Sequence, residues 1–273
     1  MRLIRETAGE MASSIIDVNC FHGHWPFRRI PYRTVHDLRG LMTRAGTRGA
    51  LLTPMAGVFY KDCLSAVREM LDELEDAAYA NMWPVAVVNP AFPGWREDLA
   101  TTVDEWGCVA LRMFPNYHGY RLSDSPSAEM LEAVQERGLP LMISMRVEDE
   151  RLQHRLARVP PVGPGDIMWV LRSFPEIKLI LCEPKPAEID ELRQPVLTHT
   201  HACLVTPSRM PQFYLEELVR QVGSQRIMYG TGMPLAYPEG VLQPAQDARL
   251  DEEARAAILF GNAVRVFGVD CEG

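Results

Sequence analysis

Residues 128–145 read AEMLEAVQERGLPLMISM, and the period of their apolar positions changes part-way along. From Ala128 to Arg137 the apolar residues recur at helical spacing. Arg137-Gly138 is a helix stop, and Leu139-Pro140 discourages any continuation. The run Leu141 to Met145 is then short, apolar and bounded by turn signals, as a buried strand is. A helix leading into a buried strand is half of a parallel-sheet unit, because parallel strands need a crossover between them.

The same alternation extends in both directions. Strands are predicted at Ile15 to Asn19, Ala50 to Thr53, Val85 to Asn89, Val109 to Phe114, Leu179 to Cys182, Ala202 to Val205 and Ile227 to Tyr229. Helices are predicted at Val35–Arg44, Leu64–Ala80, Glu97–Glu105, Ile167–Ser173, Glu188–Leu192, Tyr214–Val222 and Glu252–Phe260. Eight strand–helix pairs in 273 residues predict an α/β chain folded as a (β/α)8 TIM barrel, with a doubly wound open sheet as the alternative. No G-x-G-x-x-G follows the first strand, which weighs against the open sheet. Residues 1–273 are expected to form a single barrel domain, residues 1–13 being a candidate N-terminal extension. The Pro-rich stretch from Val159 to Gly165 reads as a loop.

Composition narrows the partners. Hydrophobic residues make up 47% and charged residues 23%, the balance of a globular chain. The formal net charge of -8 argues against general attraction to nucleic acid or anionic membrane and favours a small-molecule or protein partner. Six cysteines without a C-x-x-C pair read as reduced thiols, and no apolar run is long enough to span a bilayer. A cytoplasmic location is the expectation, and a homo-oligomer is left open.

In a barrel the chemistry lies at the C-terminal strand ends. At the first of these stands Ile16-Asp17-Val18-Asn19-Cys20-Phe21-His22-Gly23. It resembles the D-x-H-x-H-x-G motif of the metal-dependent amidohydrolase superfamily, in its decarboxylase and lactone-hydrolase branch. Gly138 to Ile143, Phe174 to Leu181, Gln225 to Pro234 and Ile258 to Gly268 resemble the family's fifth, sixth and eighth strands and last helix. The resemblance implies a barrel that hydrolyses or decarboxylates a small carboxylate or cyclic ester with a divalent ion. The family's metal ligands correspond here to Asn19, Phe21, Ser144, Glu183 and Gly232, of which only Glu183 is a strong ligand. The expectation is therefore a degenerate metal site with no cofactor. The alternative is zinc or another divalent ion held by His22, His24 and Glu183.

Without a metal, Glu183, His22 and His118 are the catalytic candidates, since a carboxylate or imidazole can act as general base. Asn19, His24, Arg112, Ser144 and Arg146 are the ligand-binding candidates. Arg112 and Arg146 end neighbouring strands, and two guanidinium groups against the one Glu183 carboxylate would leave a surplus positive charge for an anionic ligand. The competing reading makes an arginine simply the buried partner of Glu183. His199 and His201 precede a strand and belong at the opposite face of the barrel. The rival functional class is a non-catalytic barrel, a pseudoenzyme that binds a small ligand or a protein.

Overall fold

Each apolar run becomes a strand because its backbone groups find partners only in neighbouring runs, and each amphipathic segment covers the outside of the sheet so formed. The computed structural model describes residues 14–75, 79–211 and 213–271. Its elements run β1 (Ile16–His22), α1 (Val35–Ala45), β2 (Gly49–Pro54), α2 (Cys63–Leu74), β3 (Met82–Val87) and α3 (Trp95–Ala100), which continues as a wider turn over Thr101–Glu105. Next come β4 (Ala110–Met113), α4 (Pro115–His118), α5 (Ser125–Glu136), β5 (Leu141–Ser144), α6 (Pro164–Ser173), β6 (Leu179–Cys182) and α7 (Pro186–Thr198). The chain ends with β7 (Cys203–Val205), α8 (Tyr214–Val222), β8 (Ile227–Met228), α9 (Glu239–Asp247), α10 (Glu252–Ala256) and α11 (Asn262–Phe267). The strands are parallel and ordered β1 to β8. Val18 N donating to Tyr229 O, at 3.0 Å, brings the last strand back to the first, so the architecture is the (β/α)8 barrel and not the open sheet.

Inside the barrel three layers follow one another towards the C-terminal ends of the strands. The lowest is apolar and includes Ile16, Val18, Leu51, Val85, Ala110, Met142, Ile180 and Met228. Two residues further along β2, β4 and β5, the same strand faces carry Thr53, Arg112 and Ser144, all buried. Above these lies a largely aromatic and aliphatic cap containing Phe21, Trp25, Met55, Val87 and Phe114.

Boundaries differ from the sequence reading where proline misleads. β3 starts before Val85 and ends before Asn89, because Pro84 still offers its carbonyl to Val109 N at 3.0 Å while Asn89 Oδ1 turns the chain by accepting Ala91 N. α7 is longer than Glu188–Leu192, since Pro186 sits harmlessly in its first turn and Lys185 N is capped by Glu188 Oε2 at 2.7 Å. The helix predicted to reach Ala80 ends at Leu74, and residues 76–78 of that prediction lie outside the described residues. The proposed extension, residues 1–13, lies there too. All six cysteines are free and buried. Among the described residues no helix is long and apolar enough to cross a membrane.

Candidate ligand-binding site at the barrel mouth

An irregularity in β1 brings Asn19 into the barrel. Asp17 pairs with Ala50 and Cys20 with Leu52, so β1 carries one residue more than β2 between these pairs. Such a bulge shifts the side-chain alternation. Val18 packs in the lower apolar layer, Asn19 joins the polar layer, Cys20 packs with α1 residues outside, and Phe21 points into the cap. His22 follows with the parity of Cys20, away from the interior.

Arg112 is completely buried at the centre of the polar layer. Its Nε donates to Ser144 Oγ at 2.8 Å, Nη1 to Thr53 Oγ1 at 3.2 Å and Nη2 to Asn19 Oδ1 at 2.8 Å. The guanidinium carbon lies 4.4 Å from the Phe21 ring centre and 5.4 Å from that of Phe114, within cation–π range of both. Asn19 then passes the network on, its Nδ2 donating to Glu183 Oε1 at 2.8 Å. Glu183 Oε2 accepts from Ser208 Oγ at 2.7 Å and from Ser208 N at 3.3 Å. Cys182 packs inside the barrel, so regular alternation would send Glu183 outward; its left-handed backbone, with φ of 57°, turns the carboxylate back in.

Burial pushes the Glu183 carboxyl above the usual range, opposed by the Ser208 hydrogen bonds and the Arg112 charge. Burial likewise lowers the affinity of Arg112 for its proton. A second carboxylate, Asp17, is fully buried beneath this network. It accepts from Thr231 N and Asn19 N, both at 3.0 Å, and from Thr231 Oγ1 at 2.5 Å, so it joins the two edge strands. Burial raises its pKa as well.

The remaining candidates do not converge on Glu183. His22 Nε2 faces Glu73 Oε1 of α2 at 3.1 Å, while His24 is exposed in the following loop. His118 Nε2 meets Gly57 O at 2.9 Å, and burial lowers its pKa. His22, His24 and Glu183 therefore form no chelating group: parity along β1 sends His22 outward to α2, while the left-handed backbone at Glu183 turns its carboxylate into the barrel. The expectation that Arg146 faces inward beside Arg112 is also corrected. β5 stops at Ser144, alternation ends with it, and Arg146 turns towards α7. There it bonds Glu183 O and both oxygens of Glu188, with Nε 3.3 Å from Glu150 Oε1. Two carboxylates face Arg146, so the surplus positive charge inferred from two inward guanidinium groups does not arise.

Above Glu183 the mouth is nearly closed. Trp25 Nε1 donates to Glu148 Oε2 at 3.1 Å, Arg28 Nε lies 3.2 Å from Glu148 Oε1, and Arg28 Nη2 donates to Leu235 O at 2.6 Å. A cavity of about 20 Å³ remains, lined among others by Arg28, Glu148, Glu183, Ser208, Arg209 and Gly232. That is room for about one water molecule. Ser208, Thr231, Trp25 and Glu148 escaped the sequence reading as site residues, and Thr53 was read only as the end of the second strand. They come from loops, or carry residue types, that no spacing rule singles out, although Thr53 shares the parity of Leu51 and was legible on that ground.

A family model for amidohydrolases matches residues 21–269. No curated protein matches the chain. Among solved structures, 5-carboxyvanillate decarboxylase from Sphingomonas paucimobilis aligns at 14% identity over 94% of this chain and 100% of that one, with a TM-score of 0.73. A dihydroxybenzoic acid decarboxylase from Polaromonas sp., solved with manganese and 2-nitroresorcinol, aligns at 15% over 94% and 97%, with a TM-score of 0.72. An uncharacterized TIM-barrel protein from Bordetella bronchiseptica aligns at 15% over 93% and 98%, with a TM-score of 0.71. At these identities the likeness is one of fold.

The manganese of such relatives can be tested against the side chains present here. A catalytic divalent ion wants about three anionic or imidazole donors and an open position for water. The polar layer offers one carboxylate, held by Asn19 and Ser208, and an amide and two hydroxyls already gathered around a guanidinium whose charge would repel a second cation. This donor set does not fit the ion. Fold, strand order and a match over 249 residues agree all the same, and the chain belongs to the amidohydrolase family.

Proposed function

We propose that this chain is a non-catalytic amidohydrolase-family barrel that binds a small carboxylate at its mouth, with Arg112 standing at the strand ends where the resemblance puts the metal. The observation that carries this reading is the Arg112 contact set: three hydroxyl or amide oxygens on its donors and an aromatic ring over its face. A guanidinium supplies charge but has no coordination site for water, so it neither generates hydroxide nor polarises a carbonyl as a Lewis acid. Glu183, the general-base candidate, has both oxygens engaged by Asn19 and Ser208. For the ligand, Arg28 and Arg209 are the cationic groups lining the small cavity; because that cavity has room for about one water molecule, binding requires the mouth to open, and the carboxylate then replaces Glu148 as the partner of Arg28.

The second reading, a metal-independent decarboxylase or hydrolase, draws on the decarboxylases among the structural relatives. Beyond the opening of the mouth that any ligand needs, it requires Glu183 to exchange its partners for substrate. The test is the metal content of untagged protein by plasma mass spectrometry, with turnover assays on hydroxybenzoates with and without added manganese. The proposal expects no stoichiometric metal and no turnover in either condition. Turnover that manganese stimulates and Glu183→Gln abolishes would overturn it.

A further inference from the structure

At the opposite end of the barrel a cavity of about 360 Å³ lies under the N-terminal ends of three successive strands. Lys178 immediately precedes β6, His201 lies two residues before β7, and Arg226 immediately precedes β8; Arg265 of α11 completes the ring. The two arginines are held in place by uncharged acceptors. Arg226 Nη1 donates to His199 O at 2.8 Å and Ala202 O at 3.2 Å, and its Nη2 to Leu197 O at 3.3 Å. Arg265 Nη2 donates to Gln225 O at 2.7 Å and Asn262 Oδ1 at 3.1 Å. Asn262 is itself fixed, its Nδ2 bonding Ser224 O and Ile227 O.

No aspartate or glutamate is among the described residues that line this cavity. At the rim, His201 Nε2 lies 3.5 Å from Glu176 Oε2. The side chains of Lys178, Arg226 and Arg265 thus line one concavity in a chain whose formal net charge is -8, with Lys178 Nζ at its edge on the β5 side, beside Gly138. A concave wall of fixed positive groups concentrates potential within it. The buried Cys203 thiol at its base senses that field: burial pushes its pKa up, while Arg265 and Arg226 pull it the other way.

We propose that this cavity is an anion site that takes a phosphate group, with Lys178 as a point charge and Arg226 and Arg265 as pre-positioned donors. The phosphate can be inorganic or belong to a small phosphomonoester, and the two sources are separated by titrating inorganic phosphate and glycerol 3-phosphate in parallel at constant ionic strength. Calorimetry on the wild type should give saturable binding of at least one of them. Lys178→Gln and Arg265→Gln should each weaken it about tenfold or more. Tighter binding of the ester would assign the site to a phosphorylated metabolite, and tighter binding of the inorganic ion to free phosphate. Lys178→Gln removes no hydrogen bond described above, so it decides the matter even if Arg265→Gln, which loses two, fails to fold. Equal binding by wild type and Lys178→Gln, or no binding by the wild type at about 10 mM ligand, would overturn the proposal. The site is at the far end from Arg112, so failure here leaves the reading of the mouth untouched.

Discussion

A single buried guanidinium, Arg112, joins its own β4 to β1, β2 and β5 through Asn19, Thr53 and Ser144 and, by way of Asn19, to Glu183 just past β6. Arg112→Met would preserve much of the packing between Phe21 and Phe114 while leaving those oxygens without a donor. The expected loss is about 3 kcal/mol of stability, measured by urea denaturation; a loss below about 1 kcal/mol would mean that water or neighbours satisfy the oxygens equally well. Glu183 gives a prediction about pH. Burial raises its folded-state pKa, so the folded protein holds this proton more tightly than the unfolded chain. Its contribution to stability is complete below the unfolded value and is lost as pH rises through the folded one. Glu183→Gln, which mimics the neutral form, should gain on the wild type as pH increases from about 4 to about 8. Parallel urea titrations across that range measure the difference, and a constant difference would contradict the raised pKa.

Among the elements, β8 is the shortest strand, two residues long, yet it closes the barrel. It succeeds because the residues after it continue the pairing: Thr206 Oγ1 accepts from Gly230 N at 3.0 Å and donates to Gly230 O at 3.1 Å. A Cβ on Gly230 would lie 2.3 Å from Val205 Cγ1 and 2.7 Å from Asn19 Cβ, closer than real atoms approach. Gly230→Ala should therefore cost about 2 kcal/mol or more, read as a lowered thermal midpoint, whereas an unchanged midpoint would show that β7 and β1 can separate freely. Strand existence and order were legible in the sequence because period and punctuation are local properties of the chain. The inward face of Arg112 was legible too, from its spacing to Phe114. The bulge in β1 and the turned-back Glu183 were not, since a bulge depends on the register of a partner strand and φ on contacts far along the chain. Arg146 illustrates the same boundary: two-residue alternation held until β5 stopped, and past that point Glu188 of α7 decided its direction.

For the molecule as a whole, Arg28 connects three loops, leaving the first strand, meeting Glu148 beyond the fifth and bonding Leu235 beyond the eighth. Arg28→Ala should loosen that closure and leave the Glu148 carboxyl, already raised by burial, without its cation. Faster amide exchange in residues 23–30 and 147–152, with the barrel strands unchanged, is the expected result by mass spectrometry; uniform exchange across both proteins would assign closure of the mouth to the aromatic contacts around Trp25 instead. The closure of the barrel itself joins residues far apart in the chain, since Asp17 finds two of its donors on Thr231. During synthesis the ribosome therefore releases the first strand long before its partner exists. Until then the nascent sheet has two bare edges and a buried-to-be carboxylate still in water, and that interval is when chaperones would be most needed and self-association most dangerous.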